Sequence, residues 1–232
     1  MQFLLDSFWQ ACSLILQLDG DLLGALFVTL RVSVTSTLIA SLLAIPIALL
    51  VARREFRGKR TLLLLLRTSL ALPTVVVGLF VYAFIARNAP LGGMHLLFSP
   101  TAIVIGQVLL IGPLITVLTH SVLVQNAATV HEEALLLGAT PFQASLKVLL
   151  EARPGLLTAV MTGFGRVLSE VGVSLMLGGN IRGVTRTVTT AITLETSQGH
   201  FSIAFALGIV LLLLVLILNL LIQLVGGRRL VA

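Results

Sequence analysis

The chain has 232 residues, of which 57% are hydrophobic and only 10% are charged. Soluble domains carry about 25% charged residues, and the mean hydropathy here is +1.11, so an ordinary soluble domain is excluded and an integral membrane protein is indicated. Lys and Arg outnumber Asp and Glu by 15 to 9. In a membrane protein such an excess is typical of cytoplasmic loops and does not indicate nucleic-acid binding. The single cysteine, Cys12, excludes an intrachain disulfide and a cysteine-cluster metal site.

Residues 1–21 predict a separate N-terminal segment, a helix that lies in the membrane interface. Its apolar positions recur near helical spacing but are interrupted by Asp6, Gln10 and Gln17, and Trp9 is placed to anchor it at the surface. A short membrane span is the alternative. The segment lacks a basic start and meets an acidic residue before any long apolar run, so we do not expect a cleaved signal peptide.

Five apolar runs follow, each long enough for the roughly 20 residues that cross a bilayer. They cover about residues 22–52, 61–86, 101–124, 155–178 and 201–225. The first is longer than a bilayer requires, so it must tilt, bend or protrude. The sequence therefore predicts an all-α polytopic membrane protein with five transmembrane helices, and residues 22–232 form one transmembrane domain.

Lys and Arg are distributed unevenly over the segments between these runs. If residues 53–60 are cytoplasmic, residues 125–154 and the C-terminal tail are too, and this side then holds nine basic residues. The other side holds only three, Arg87, Arg182 and Arg186. Because cytoplasmic loops carry the basic excess, we expect the N-terminus outside and the C-terminus in the cytoplasm.

Motifs for catalysis and metal binding are absent from the sequence. No GxxxxGK[ST] loop occurs, so we expect no ATP hydrolysis by this chain, and the four scattered histidines predict no metal site. No G-x-S-x-G frame surrounds Ser169, which disfavours an intramembrane hydrolase. A stand-alone secondary transporter or channel would need coupling-ion carboxylates or an internal repeat, and Glu170 is the only acid deep in a predicted span.

Residues 125–154 form the most polar stretch of the chain. The pattern predicts a short amphipathic helix, a break at Gly138 and a second short helix that carries Phe142. Such a pair could insert into a groove of a partner protein. An interfacial loop that covers lipid headgroups is the alternative.

This stretch, HEEALLLGATPFQASLKVLL, resembles the EAA motif of the membrane subunits of ABC importers. The glutamate, second alanine and glycine of that motif fall on Glu132, Ala134 and Gly138. The sequence departs from it at Glu133, where alanine is expected, and at Glu151, where proline is expected. In that family the motif forms coupling helices that dock on the ATPase subunits. The resemblance therefore implies a coupling role for Glu132, Glu133, Ala134, Gly138 and Phe142.

Other segments narrow the resemblance. FVTLRVSVTSTLIASLLAIPIALLVARREFRGKR, ALPTVVVGLFVY and GFGRVLSEVGVSLMLGGNIRGVTRTVTTAITLETSQGHF are similar to molybdate/tungstate-type permeases, and most to tungstate permeases. This implies a type I importer fold and a homodimer in the cell membrane with two ABC ATPase subunits, which bind the ATP and Mg. It also implies a separate extracytoplasmic oxyanion-binding protein. The expected substrate is tungstate, with molybdate or sulfate as alternatives.

The charged residues Arg31, Arg166 and Glu170 lie within predicted spans. Such residues are costly in a bilayer and are usually paired or face a pathway. Arg166 and Glu170 are four apart and share a helix face, while Arg31 falls in the same outer half of the membrane. Either arginine is therefore a feasible partner for the glutamate. A fixed ion pair and a gate are both consistent with this pattern.

The outer segment 181–192 combines positive charge with hydroxyl groups. A tetrahedral oxyanion needs such donors, which indicates a transient anion contact on the translocation pathway. A solvated loop that touches the binding protein is the alternative. The residues concerned are Arg182, Thr185, Arg186, Thr187, Thr189 and Thr190.

Overall fold

The computed structural model of the chain describes residues 5, 6, 8, 9, 13 and 20–226. The predicted interfacial helix within residues 1–21 lies almost entirely outside these residues, so it stays a prediction. Throughout the described part the regular structure is helical. The helices are α1 (Gly20–Arg53), α2 (Lys59–Ser69), α3 (Thr74–Ile85), α4 (Pro100–Leu136), α5 (Pro141–Leu168), α6 (Gly172–Gly178), α7 (Val188–Ser197) and α8 (Phe201–Gly226), with a 3₁₀ turn at Gly92–Met94.

The long helices agree with the predicted spans. Within the described residues, three segments are long and apolar enough to cross a membrane as single helices, Gly20–Arg53, Pro100–Val124 and Phe201–Leu220. Two bent helix pairs bring the number to as many as five if each pair counts as one span. The all-α polytopic prediction is therefore confirmed, and the five-span prediction holds in that sense.

The second predicted span, residues 61–86, differs from expectation because it is not one straight helix. Its two halves, α2 and α3, meet at 106°. The break lies at residues 70–73 and ends with Pro73, whose backbone is extended (φ −60°, ψ 132°). Proline has no N–H to donate and disfavours a helical conformation in the residue before it. The sequence showed the proline but not the size of the turn.

The polar segment 125–154 does not form the two separate short helices that were predicted. Its first half is the end of α4, which runs for 37 residues without a break at Pro113. Its second half is the start of α5, which passes through Pro154 into the membrane. At the far end of that span α5 and α6 are bent by 58°. The turn between α4 and α5 is thus continuous with two long helices.

A stripe of small residues on α1 lets the central helices approach closely. Ser36, Ala40, Ala44 and Ala48 recur every four residues and are all buried. The middle of this stripe packs with Ile111 and Ile115 of α4 and Val167 of α5, and Ser36 Oγ donates a 2.8 Å hydrogen bond to Gln107 Oε1. Small residues and interhelical hydrogen bonds are the usual means of association in lipid. The core of the domain is therefore the α1–α4–α5 bundle.

One end of the bundle is closed by α7, a helix that was not predicted from the sequence. Val188 and Ala191 pack between Leu22 of α1 and Leu207 of α8. The Val188 N–H also donates to Thr29 Oγ1 at 2.9 Å. This helix is short and threonine-rich, so its hydrophobic periodicity is weak, and burial rather than pattern holds it in place.

Candidate functional site

The turn between α4 and α5 is formed by local interactions. Gly138 adopts a positive φ of 85°, and the N–H groups of Gly138 and Ala139 donate to the carbonyls of Leu135 and Ala134 at 3.0 Å each. This is the Schellman arrangement that ends helices at glycine. Thr140 then caps α5 through a reciprocal capping box with Gln143. The hydrogen bonds that reverse the chain here are thus local.

This turn presents apolar side chains to solvent. Leu136, Leu137 and Phe142 are 87%, 89% and 78% exposed, and the predicted coupling residues Glu132 and Glu133 are exposed beside them. An open cavity of about 310 Å³ runs along the turn, and its walls are Val130, Glu133, Ala134, Leu137, Ala139, Gln143 and Lys147. An apolar knob with a groove and acidic flanks suits a protein partner. The two leucines were not among the predicted coupling residues, although their place beside Gly138 was visible in the sequence.

Two polar contacts fix the start of α5. The Arg53 guanidinium at the end of α1 donates to Ser145 Oγ, which in turn donates to the Pro141 carbonyl at 2.6 Å. On the exposed face, Lys147 and Glu151 form a 2.7 Å ion pair. The hydrogen bond and charge of Lys147 lower the pKa of the Glu151 carboxyl. The turn is therefore braced against the first membrane helix.

A second cavity, of about 440 Å³, lies beside the break between α2 and α3. Arg166 is its charged wall, and the Arg166 side chain is 41% exposed. The other lining residues are Ser69, Leu70, Leu110, Leu114, Thr162, Gly165 and Ser169. The hydroxyls of Ser69, Thr162 and Ser169 donate to carbonyls of their own helices. The arginine is thus the main group that this wall offers to an anion.

Glu170 holds three elements together at the bend between α5 and α6. Its side chain is 1% exposed and accepts a 3.0 Å hydrogen bond from Arg166 Nη1. It also accepts from the Val173 N–H at 3.0 Å, and its own carbonyl accepts from Thr189 Oγ1 of α7 at 2.9 Å. Of the two arginines proposed from sequence as its partner, the structure therefore selects Arg166.

The other predicted pathway arginines are placed differently. Arg31 is exposed on α1 and forms no ion pair within the described residues. Arg182 binds Asp21 at the outer end of α1 through two hydrogen bonds, one of them 2.5 Å between Nε and Oδ1. Arg186 is half-buried and its Nε has no hydrogen-bond partner within the described part of the chain. Of these three arginines, Arg186 is the one with a free buried donor near the outer end.

The predicted threonine donors are buried and used internally. Thr185 Oγ1 donates to the Gly178 carbonyl at 2.5 Å, and Thr187 and Thr190 form the capping box of α7. Thr189 donates to the Glu170 carbonyl at 2.9 Å. These hydroxyls hold the outer segment on the bundle, and a contact between them and an anion remains a prediction.

Comparison with known proteins gives consistent results. The profile of the family "Binding-protein-dependent transport system inner membrane component" matches residues 44–231. The tungstate uptake system permease of Peptoclostridium acidaminophilum is 36% identical over 96% of this chain and 97% of its own length. The permease of the same name from Campylobacter jejuni is 38% identical over 94% and 92%. A molybdenum transport system permease from Mycobacterium tuberculosis is 32% identical over 74% and 67%.

Proposed function

Because the chain belongs to the family of inner membrane components of binding-protein-dependent transport systems, we propose that it is the membrane-spanning subunit of an ABC importer for tungstate. The assignment of tungstate as the substrate rests on similarity along nearly the whole chain to two tungstate uptake permeases, at 36% and 38% identity. The molybdenum permease matches a smaller share of the chain at 32%. Molybdate and sulfate are the competing substrates.

ATP hydrolysis takes place on partner subunits that dock at the α4–α5 turn. Support comes from three exposed apolar side chains, Leu136, Leu137 and Phe142, beside a groove with one acidic and one basic lining residue. Both arms of the turn are ends of membrane helices. A displacement of the turn is therefore transmitted along α4 and α5 to the membrane cavity, and this chain supplies no catalytic group.

The oxyanion crosses the membrane along a pathway that includes Arg166. This side chain lines the 440 Å³ cavity, and Glu170 occupies only part of its donor set, since guanidinium carries five N–H groups. A guanidinium whose charge is partly neutralised by a carboxylate binds an oxyanion weakly, and the passage of the oxyanion requires weak binding. Two copies of the chain, with the open cavities facing each other, would enclose the pathway.

The proposal includes the orientation of the chain in the membrane and its contact with an extracytoplasmic binding protein. The basic residues of 53–60 support a cytoplasmic position for the α4–α5 turn. The outer segment with Arg182 and Arg186 then faces the extracytoplasmic binding protein. Labelling of a cysteine at position 91 from outside intact cells, in a Cys12→Ser background, checks this orientation, and labelling only from the cytoplasm would reverse it.

Uptake of labelled tungstate by cells with and without this chain tests the function. We expect uptake to be lost on deletion, restored by the intact chain and little affected by excess molybdate or sulfate. Uptake that either competitor abolishes would change the substrate but keep the importer. Unchanged uptake of all three anions on deletion would contradict the oxyanion assignment.

A further inference from the structure

A small cavity of about 150 Å³ lies at the C-terminal end of α1. Its walls are Leu49, Leu50, Arg53 and Arg54. One half of the cavity is therefore hydrocarbon and the other half carries two positive charges. The division falls where the apolar run of α1 ends, which is the level of the lipid headgroups.

The positive charge of this cavity is not neutralised within the described residues. Arg53 donates to Ser145 Oγ, which fixes the guanidinium but adds no negative charge. Arg54 has no side-chain partner there, and the adjacent carboxylate, Glu55, binds Lys59 at 2.7 Å. Both arginines are exposed, so their remaining N–H groups are available to an anion.

An exposed apolar stripe continues from the cavity into the membrane. Leu43, Ile47 and Leu50 are all exposed and lie four and three residues apart, so they share one face of α1. At 1.5 Å per residue this stripe is about 10 Å long. A soluble oxyanion would gain nothing from it, whereas an acyl chain would lie along it.

We propose that Arg53 and Arg54 bind the phosphate of an anionic glycerophospholipid whose acyl chain lies on the Leu43–Leu50 face of α1. Guanidinium suits phosphate because it donates in a planar fork. Polybasic segments just inside a membrane helix attract anionic lipids. The contact of Arg53 with Ser145 distinguishes this site from diffuse attraction, because it holds one of the two arginines in a fixed place.

Retention of lipid by the purified importer, this chain with its ATPase, tests the proposal. The protein is exchanged into detergent with phosphatidylglycerol and phosphatidylcholine of identical acyl chains, and bound lipids are counted by native mass spectrometry. We expect the unmodified protein to retain phosphatidylglycerol in preference. The double variant Arg53→Gln, Arg54→Gln should bind it about 25-fold more weakly, about fivefold for each arginine.

The matched control is Arg57→Gln, Arg60→Gln, which removes the same charge from nearby residues that do not line the cavity. We expect it to keep the preference for phosphatidylglycerol. Equal loss in both double variants would overturn the site in favour of general surface charge. Equal retention of the two lipids by the unmodified protein would also overturn it. Displacement of phosphatidylglycerol by millimolar phosphate or tungstate would identify a soluble oxyanion as the ligand and overturn the lipid. None of these readouts depends on transport, so the proposed function is tested separately.

Discussion

Arg166 and Glu170 are linked by a 3.0 Å hydrogen bond across one turn at the end of α5, although the arginine side chain is 41% exposed and the glutamate 1% exposed. The glutamate is therefore the structural partner and the arginine the accessible one. Replacing Glu170 by Ala removes the acceptor of both Arg166 and the Val173 N–H. We expect this change to destabilise the protein by about 2–4 kcal/mol, somewhat less than a fully buried pair because the arginine reaches solvent.

Thermal unfolding of the purified protein measures this loss. The control is Glu195→Ala, which removes a 3.0 Å contact with His200, whose side chain is exposed, and should cost less than about 1 kcal/mol.

Arg166→Ala should also impair folding more than anion preference. Normal protein levels with altered preference in that variant would show that Arg166 selects the anion and is not needed for stability.

Gly138→Val should uncouple ATP hydrolysis from uptake. The positive φ of 85° at this glycine is unfavourable for a β-branched residue, at a cost of about 1–3 kcal/mol, and the turn that presents Leu137 and Phe142 would be displaced. Hydrolysis and uptake are measured together in reconstituted vesicles. Gly58→Val is the matched control, because Gly58 also has a positive φ, of 96°, and open space for a side chain. Coupled transport in the Gly138 variant would contradict the assignment of the turn.

Charge at the same turn is tested by Glu132→Lys. Glu132 is exposed, so folding should be unaffected while docking of the ATPase is weakened. Copurification of the ATPase with the membrane subunit measures this. The control is Glu195→Lys, which makes the same change of charge in α7, away from the turn. Equal recovery of the ATPase in both variants would remove Glu132 from the docking surface.

Gly172→Ala should destabilise the contact between α6 and α3. A Cβ at this position would lie 2.5 Å from Thr74 Oγ1 and 3.1 Å from the Val75 backbone nitrogen. Overpacking of this kind costs about 1–3 kcal/mol. Gly24→Ala, in α1, has no heavy atom within 4 Å of the added carbon and serves as the control. Thermal stability equal in the two variants would show that the break between α2 and α3 is looser than the structure indicates.

Asp21 and Arg182 should behave as one unit. The pair is exposed, so each replacement by Ala should cost less than about 1 kcal/mol, and the double replacement no more than either alone. Unfolding of the four proteins of this cycle measures the coupling. Tungstate uptake at limiting concentration gives a second comparison. Slower uptake in Arg182→Ala alone, with Asp21→Ala normal, would instead place the arginine on the anion pathway.

Much of the fold could be predicted because its causes are local or come from the bilayer. Long apolar runs must cross the membrane as helices, since backbone polar groups find no water there. The turn at Gly138 was also predictable, because glycine favours the positive φ and Thr140 caps the next helix from within its own first turn. The uneven distribution of Lys and Arg likewise predicted the orientation of the chain, with the N-terminus outside and the C-terminus in the cytoplasm.

The sequence alone thus determined the membrane class, the places of the spans and the turn that carries the predicted coupling residues. Only the tertiary structure decided that Glu170 pairs with Arg166 and not Arg31, that Asp21 binds Arg182 from 161 residues away, and that the outer threonines bond to their own chain. It also set the 106° bend at Pro73 and the burial of α7. The physical reason is that periodicity and spacing report on neighbours along the chain, whereas the partner of a buried polar group is chosen by which helices pack together.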